Sequence, residues 1–236
     1  MSAIVITGFP ALSGSTKARL IVAALALAVL SLMDIFPALD LAASAGFYRP
    51  GEGFPLSGLL AFDLVMKALP VALIGIAVLV GLGGITAWWE HRPIFRVTPR
   101  VALYIVTSLI VGPGLLGNTL FKDNWGRARP HQVLEFGGAA HFTPVLQIAH
   151  ECAKNCSFPS GHGALGFWIA TLAILAPERW RLSAWIFGFL LGALVGWMRI
   201  AQGAHFLSDV FASAMLVVGV NWVLKYLILG PNDIRG

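Results

Sequence analysis

The stretch "FPSGHGALGFWIATLAILA", Phe158–Ala176, decides the fold. It opens on small and polar residues and then runs without a charge to its end. Ser160 is a good helix N-cap. From Gly163 to Ala176 there is no polar face that a soluble helix could turn to water. The run is short for a membrane crossing, which needs about 20 residues at about 1.5 Å each to traverse about 30 Å of hydrocarbon. It gains a turn if the helix starts at Ser160.

Five further apolar runs lie around it: Leu20–Pro37, Val65–Trp89, Val101–Phe121, Leu182–Met198 and Phe206–Leu229. Gly112-Pro113 is expected to kink the third of the six, and Trp88-Trp89 to anchor the second at an interface. The chain has 236 residues, 58% of them hydrophobic and 11% charged. Ordinary soluble domains carry about a quarter charged residues. These figures exclude a soluble fold and predict an all-α, polytopic membrane protein: one domain over residues 1–236, six transmembrane helices in one bundle. The first run follows Lys17 and Arg19 and lacks a small-x-small cleavage site, so it reads as a retained helix. Residues 122–159 form the one long polar insert.

Six spans place both termini on one side. The termini side then carries Lys17, Arg19, Arg92, Arg96, Arg100, Arg179, Arg181, Lys225 and Arg235, nine basic residues. The other side carries Arg49, Lys67, Lys122, Arg127, Arg129, Lys154 and Arg199, seven. Setting aside Lys122, Arg129 and Arg199 as candidate site residues leaves four, and the positive-inside rule puts the termini in the cytoplasm. The insert and the turn after Arg199 then face outward. The net charge of +5 belongs to this asymmetry. No basic stripe interleaved with aromatics exists, so nucleic acid is not a partner.

Three outward stretches carry chemistry. "KDNWGRARP", Lys122–Pro130, "PSGH", Pro159–His162, and "RIAQGAHFLSD", Arg199–Asp209, each adjoin the end of an apolar run. Lys122, Arg129 and Arg199 supply three positive charges, two of them guanidinium forks that match phosphate oxygens. Ser160 and Gly161 open a helix whose N-terminal N–H groups suit an anion, with Gly161 permitting close approach. His205 and Asp209 stand four apart on one helix face. The carboxylate is expected to fix the imidazole tautomer, leaving His205 to attack phosphorus. His162 is placed to protonate the departing oxygen.

These residues resemble the type 2 phosphatidic acid phosphatase superfamily, which also includes the vanadium haloperoxidases. Lys122 with Arg129-Pro130, Pro159–His162, and Arg199, His205 and Asp209 match its three blocks with their spacings. The departure is Met198, where the family usually has Ser. The resemblance implies a six-helix bundle with its active site at the outer membrane interface. It implies a phosphohistidine on His205, His162 acting as acid and then base, and Asp209 supporting His205. It also implies phosphate held by Lys122, Arg129, Ser160, Gly161 and Arg199, with no cofactor or metal required. The implied substrate is a lipid phosphate or pyrophosphate in the outer leaflet. Lipid A is favoured by the flavour of the insert, with phosphatidylglycerophosphate, undecaprenyl pyrophosphate and phosphatidic acid as competitors. A lipid-to-lipid phosphotransferase would use the same site. A transporter is a remote reading, because the charges cluster at span ends and no paired broken segments occur. Six apolar runs argue against a soluble haloperoxidase.

Cys152 and Cys156 would face an oxidising compartment, so a disulfide is expected just before the cradle. Asn118, Asp123 and Arg127 flank the first motif and are candidates to orient it. Asp34 is expected to snorkel at the outer end of the first span. His131, His141 and His150 receive no role. His205 is expected to sit outside the core.

Overall fold

The structure, a computed structural model, describes residues 14–230; Arg235 lies outside them. Seven helices organise the described residues: α1 (Gly14–Ile35), α2 (Ala38–Ala45), α3 (Leu60–Trp89), α4 (Pro99–Asn124), α5 (Gly161–Leu175), α6 (Glu178–Ala201) and α7 (Leu207–Leu229). Among the described residues no β-strand forms. Five helices, all but α2 and α5, are long and apolar enough to cross a membrane, and α5 is a shorter apolar rod. The fold is all-α, as expected, and α6 extends the anticipated run at both ends. The short α2 was not anticipated: Pro37 ends the first span, and the chain turns into a separate helix.

α5 is the central rod and packs against α3, α4, α6 and α7. Its Trp168 is fully buried and donates from Nε1 to Ser108 Oγ on α4 at 2.8 Å. Close approach on the α6 side is set by small residues. Side chains at Gly188 and Gly192 would collide with Ala170 and Phe167 of α5, and one at Gly196 with Val210 of α7. Small residues at such contacts let apolar helices associate where the solvent offers no hydrophobic drive. The outward surfaces keep their large side chains exposed, such as Leu79, Leu190 and Leu227, and Trp88, Trp89 and Trp180 are exposed at helix ends. Both patterns fit a bundle immersed in lipid.

Two prolines shape the rods. Pro113 lies in the segment Ile110–Phe121 of α4, which winds as a π-helix rather than a simple kink. Wider winding absorbs a missing N–H without breaking the rod. Pro70 lies inside α3. Having no N–H, it leaves the carbonyl four residues earlier, that of Met66, without its helical donor.

Candidate active site

At one end of the bundle the termini of α4, α5, α6 and α7 meet beneath the connection 125–160. That connection is bound to the cradle by backbone hydrogen bonds. Cys156 N–H donates to Lys122 O at 3.0 Å and Ser157 N–H to Arg127 O at 2.9 Å, while Ser160 N–H reaches Asp209 O at 3.2 Å. Cys152 and Cys156 are joined by a disulfide two residues before Phe158.

Ser160 caps α5, its Oγ accepting from Gly163 N–H at 3.2 Å. A side chain at Gly161 would fall on Asn118 Oδ1, with its Cβ 3.1 Å from Lys122 Nζ. The glycine is therefore required by the α4 residues across from it. Asn118 in turn accepts from Lys122 Nζ at 3.4 Å. Lys122, Arg129 and Arg199 are close enough to act on one another electrostatically, and Lys122 and Arg199 act on both His162 and His205. The three cations and two histidines thus share one site. Arg129 is oriented by Asn155, donating from Nη2 to its carbonyl at 2.7 Å and to its Oδ1 at 3.0 Å. Burial holds the Arg129 guanidinium below its usual range despite Asp209 nearby. Arg199 donates from Nη1 to Gln202 Oε1 at 2.6 Å.

His205 is fully buried, which corrects the expectation that it lies outside the core. Its Nδ1 lies 2.7 Å from the Ser157 carbonyl and 3.8 Å from Asp209 Oδ2. A carbonyl can only accept, so Nδ1 carries the proton and Nε2 presents a lone pair. The tautomer is therefore set by a backbone oxygen, and Asp209 acts mainly through its charge. Burial is the main cause that lowers the His205 pKa to about 3, so the ring is neutral at ordinary pH. Its Nε2 and the Nε of Arg199 are buried with no hydrogen-bond partner among the described residues. A buried polar atom left so costs about 1–3 kcal/mol. An anion would relieve Arg199, and an electrophile would relieve His205.

His162 sits on the first turn of α5 with Nε2 3.2 Å from the Met66 carbonyl of α3. That is the carbonyl freed by Pro70. The oxygen again can only accept, so Nε2 holds a proton and Nδ1 remains for other chemistry. An apolar groove of about 710 Å³ runs from Asn118 along α3 and α4, lined by Pro70, Ile74, Gly114 and Leu165.

Beneath these residues lies a buried network, of whose members the sequence singles out only Arg127 and Asp209. Arg127 is fully buried. It donates to Asp209 Oδ1 at 2.6 Å, Ser208 Oγ at 2.9 Å, Asp40 Oδ2 at 2.8 Å and the Thr143 carbonyl at 2.9 Å. Its guanidinium carbon lies 4.5 Å from the centroid of the Phe206 ring. Burial alone would depress its pKa, but Asp209 and Asp40 hold it raised. Asp209 Oδ2 accepts from Ser157 Oγ at 2.5 Å and from Phe206 N–H at 2.8 Å, the latter capping α7. Asp40 of α2 accepts from the Ser208 amide at 2.8 Å. Asp40, Ser157 and Ser208 were missed because their contacts are made across long stretches of chain.

The remaining flanking residues are structural. Asp34 accepts from Leu146 N–H at 2.8 Å rather than simply snorkelling, and Asp123 accepts from Asn155 N–H at 3.2 Å. Met198 is buried with Met66 and Val195, so the position usually occupied by Ser here fills an apolar cluster. His131 Nδ1 lies 2.9 Å from the Gly203 carbonyl.

A neutral buried imidazole with Lys122 and Arg199 acting on it, at one end of a bundle of apolar helices, is an arrangement suited to an anionic group such as a phosphate. The model of the PAP2 superfamily matches residues 101–231. The chain is 34% identical over 205 residues to a lipid A 4'-phosphatase of Francisella tularensis subsp. novicida, covering 84% of this chain and 90% of that protein. It is 31% identical over 196 residues to a lipid A 4'-phosphatase of Rhizobium leguminosarum, covering 78% of this chain and 84% of the relative. No solved structure matches significantly. This chain belongs to the PAP2 superfamily and is a bacterial membrane phosphatase that hydrolyses lipid phosphate.

Proposed function

We propose that this protein removes a phosphate monoester from a lipid A-type glycolipid in the outer leaflet of the bacterial inner membrane, through a phosphohistidine on His205. The observation that carries the mechanism is the His205 Nε2 lone pair, buried without a hydrogen-bond partner among the described residues and acted on by Lys122 and Arg199. The substrate class rests on the lipid A 4'-phosphatase relatives, which align over most of both chains.

In this reading Lys122, Arg129, Arg199, the Ser160 hydroxyl and the N–H groups at Gly161 hold the phosphoryl oxygens. His205 Nε2 bonds to phosphorus as the bond from phosphorus to the lipid oxygen breaks. His162, which takes up its second proton beside the bound phosphate dianion, gives the Nδ1 proton to that oxygen, its Nε2–H staying on the Met66 carbonyl. Neutral His162 then takes a proton from water as the water oxygen attacks phosphorus. The N–P bond breaks, inorganic phosphate leaves and His205 is restored. Asp209 compensates the positive charge that the imidazole acquires. The apolar groove beginning at Asn118 suits a lipid whose acyl chains remain in the bilayer. The bundle is oriented with termini in the cytoplasm and the site toward the periplasm.

The test is phosphate release by detergent-purified protein in excess EDTA, offered lipid A, phosphatidylglycerophosphate, undecaprenyl pyrophosphate and phosphatidic acid. Fastest release from lipid A is expected. Preference for another lipid would overturn the substrate assignment. Activity that vanishes in EDTA and returns with a divalent cation would overturn the mechanism. Release only when an acceptor lipid is supplied would replace hydrolysis by phosphotransfer.

A further inference from the structure

A second polar cluster lies at the end of the bundle opposite the active site, and none of the chemistry above uses it. A cavity of about 560 Å³ is lined there by Arg19 of α1, Glu178 and Arg181 of α6, and Asn221 and Lys225 of α7. Arg19 and Arg181 both act electrostatically on Lys225. Among the described residues the mouth thus gathers three cations, Arg19, Arg181 and Lys225, with one carboxylate, Glu178. Below them the wall is apolar, with Phe167, Phe189 and Val217. The volume falls in the usual range for a small-molecule pocket.

Topology alone would be served by basic residues spread along the rim, each in water. Here they converge from three separate helices on one concavity that continues into hydrocarbon-like lining. The Asn221 amide adds an independent observation. Its Nδ2 donates to Thr171 Oγ1 at 2.6 Å, while its Oδ1 is buried without a partner among the described residues. Asn221 and Lys225 are four apart on α7, so an acceptor seeking a donor adjoins a cation seeking an anion.

We propose that this cavity binds one anionic phospholipid of the leaflet at that end, its phosphate among Arg19, Arg181 and Lys225 and one acyl chain along Phe167 and Val217. A phosphodiester of net negative charge fits, because its phosphate meets the cations with no head-group cation to repel them. Phosphatidylglycerol has this chemistry. The site differs from the catalytic one in needing no monoester and offering no nucleophile. Its lining residues Ala170, Thr171 and Ala173 belong to α5, the same rod that carries Ser160, Gly161 and His162 at its far end. Occupancy therefore braces the central helix.

The experiment is native mass spectrometry with parallel thermal unfolding of the full chain in neutral detergent, titrated with phosphatidylglycerol or phosphatidylcholine. One phosphatidylglycerol is expected to be retained and to raise the unfolding temperature, with phosphatidylcholine at least tenfold weaker. Arg181→Gln with Lys225→Gln should weaken retention at least tenfold while leaving phosphate release from the lipid substrate in micelles free of phosphatidylglycerol unchanged. Val218→Trp, at a half-exposed lining position, should block the chain without touching the charges and guards against misfolding of the first variant. Equal retention of the two lipids would overturn the proposal, as would retention unaffected by both variants. Displacement by vanadate would assign the lipid to the catalytic site instead. Because binding is read without turnover, failure of the lipid A assignment would leave this result intact.

Discussion

Replacing Arg127 by Met isolates what holds the site together. The guanidinium is fully buried and is the shared partner of two fully buried carboxylates, Asp40 and Asp209. Removing one partner of a buried ion pair typically costs about 3–5 kcal/mol, because a charge is left uncompensated. Here two carboxylates lose their cation at once. Each keeps other donors: Asp40 the Ser208 amide and hydroxyl, Asp209 the Ser157 hydroxyl and Phe206 amide. Those bonds keep the loss near the quoted range rather than twice it. For a chain of this length about 1 kcal/mol moves the unfolding temperature by about 2–4 °C, so a fall of about 6–20 °C is expected. Tryptophan fluorescence in detergent can follow it, as the chain has 8 Trp.

A double-mutant cycle makes the reasoning refutable. In the parent protein Asp40→Asn removes half of the compensation for Arg127 and should destabilise. With Arg127→Met already present, the same change removes a buried charge that has no cation and should stabilise. The sign of the Asp40→Asn effect must therefore reverse. Independent sites add within about 0.5 kcal/mol. Equal effects in both backgrounds would refute the claim that Arg127 binds the first connection, α2, to the start of α7.

Three further outcomes follow from the site. His205→Gln should lower turnover by at least ~10³-fold, as removal of a nucleophile does, and should abolish labelling of the protein by phosphate from labelled substrate. Pro70→Ala supplies an N–H that competes with His162 for the Met66 carbonyl. One such hydrogen bond is worth about 0.5–1.5 kcal/mol, so kcat should fall about 2- to 12-fold with the alkaline limb of its pH profile, set by loss of the His162 proton, moved to lower pH and thermal stability kept or raised; an unchanged profile would remove Met66 from the mechanism. The folded pKa of His205, about 3, lies below the unfolded value of about 6.5. Above pH about 6.5 the ring is neutral in both states and adds no pH dependence. As pH falls below that value the unfolded chain takes up a proton that the folded protein refuses, and stability declines until pH about 3. Thermal unfolding from pH 7 to 4 should therefore fall more steeply for the parent than for His205→Gln.

The membrane solvent explains why so much of this protein was legible. In a chain with 11% charged residues, a cation at a span end stands out against its background, and three such ends with fixed spacings marked Lys122, Arg129 and Arg199. Ser160 announced itself as a cap because its side chain bonds a backbone group only three residues away. The π-helical winding over Ile110–Phe121 was less legible. Gly112-Pro113 signals a disturbance, but whether it bends the rod or widens it depends on the helices packed alongside.

What escaped the sequence were contacts with backbone oxygens and partners far along the chain. Nothing in the residue identity of Ser157 predicts that its carbonyl will hold the His205 proton, since every residue has such an oxygen. Asp40 lies 87 positions from Arg127, just beyond the first apolar run. A charge-matching argument could have found it. An ionisable residue near hydrocarbon demands a partner, and Asp40 needs a cation that phosphate does not claim. Among the described residues Lys122, Arg129 and Arg199 form no ion pair with a carboxylate, whereas Arg127 forms two. That difference separates the cations available to a substrate from the one consumed by the fold. It also explains how Arg127 can lie so near Lys122, Arg129 and Arg199: it enters already neutralised by Asp40 and Asp209.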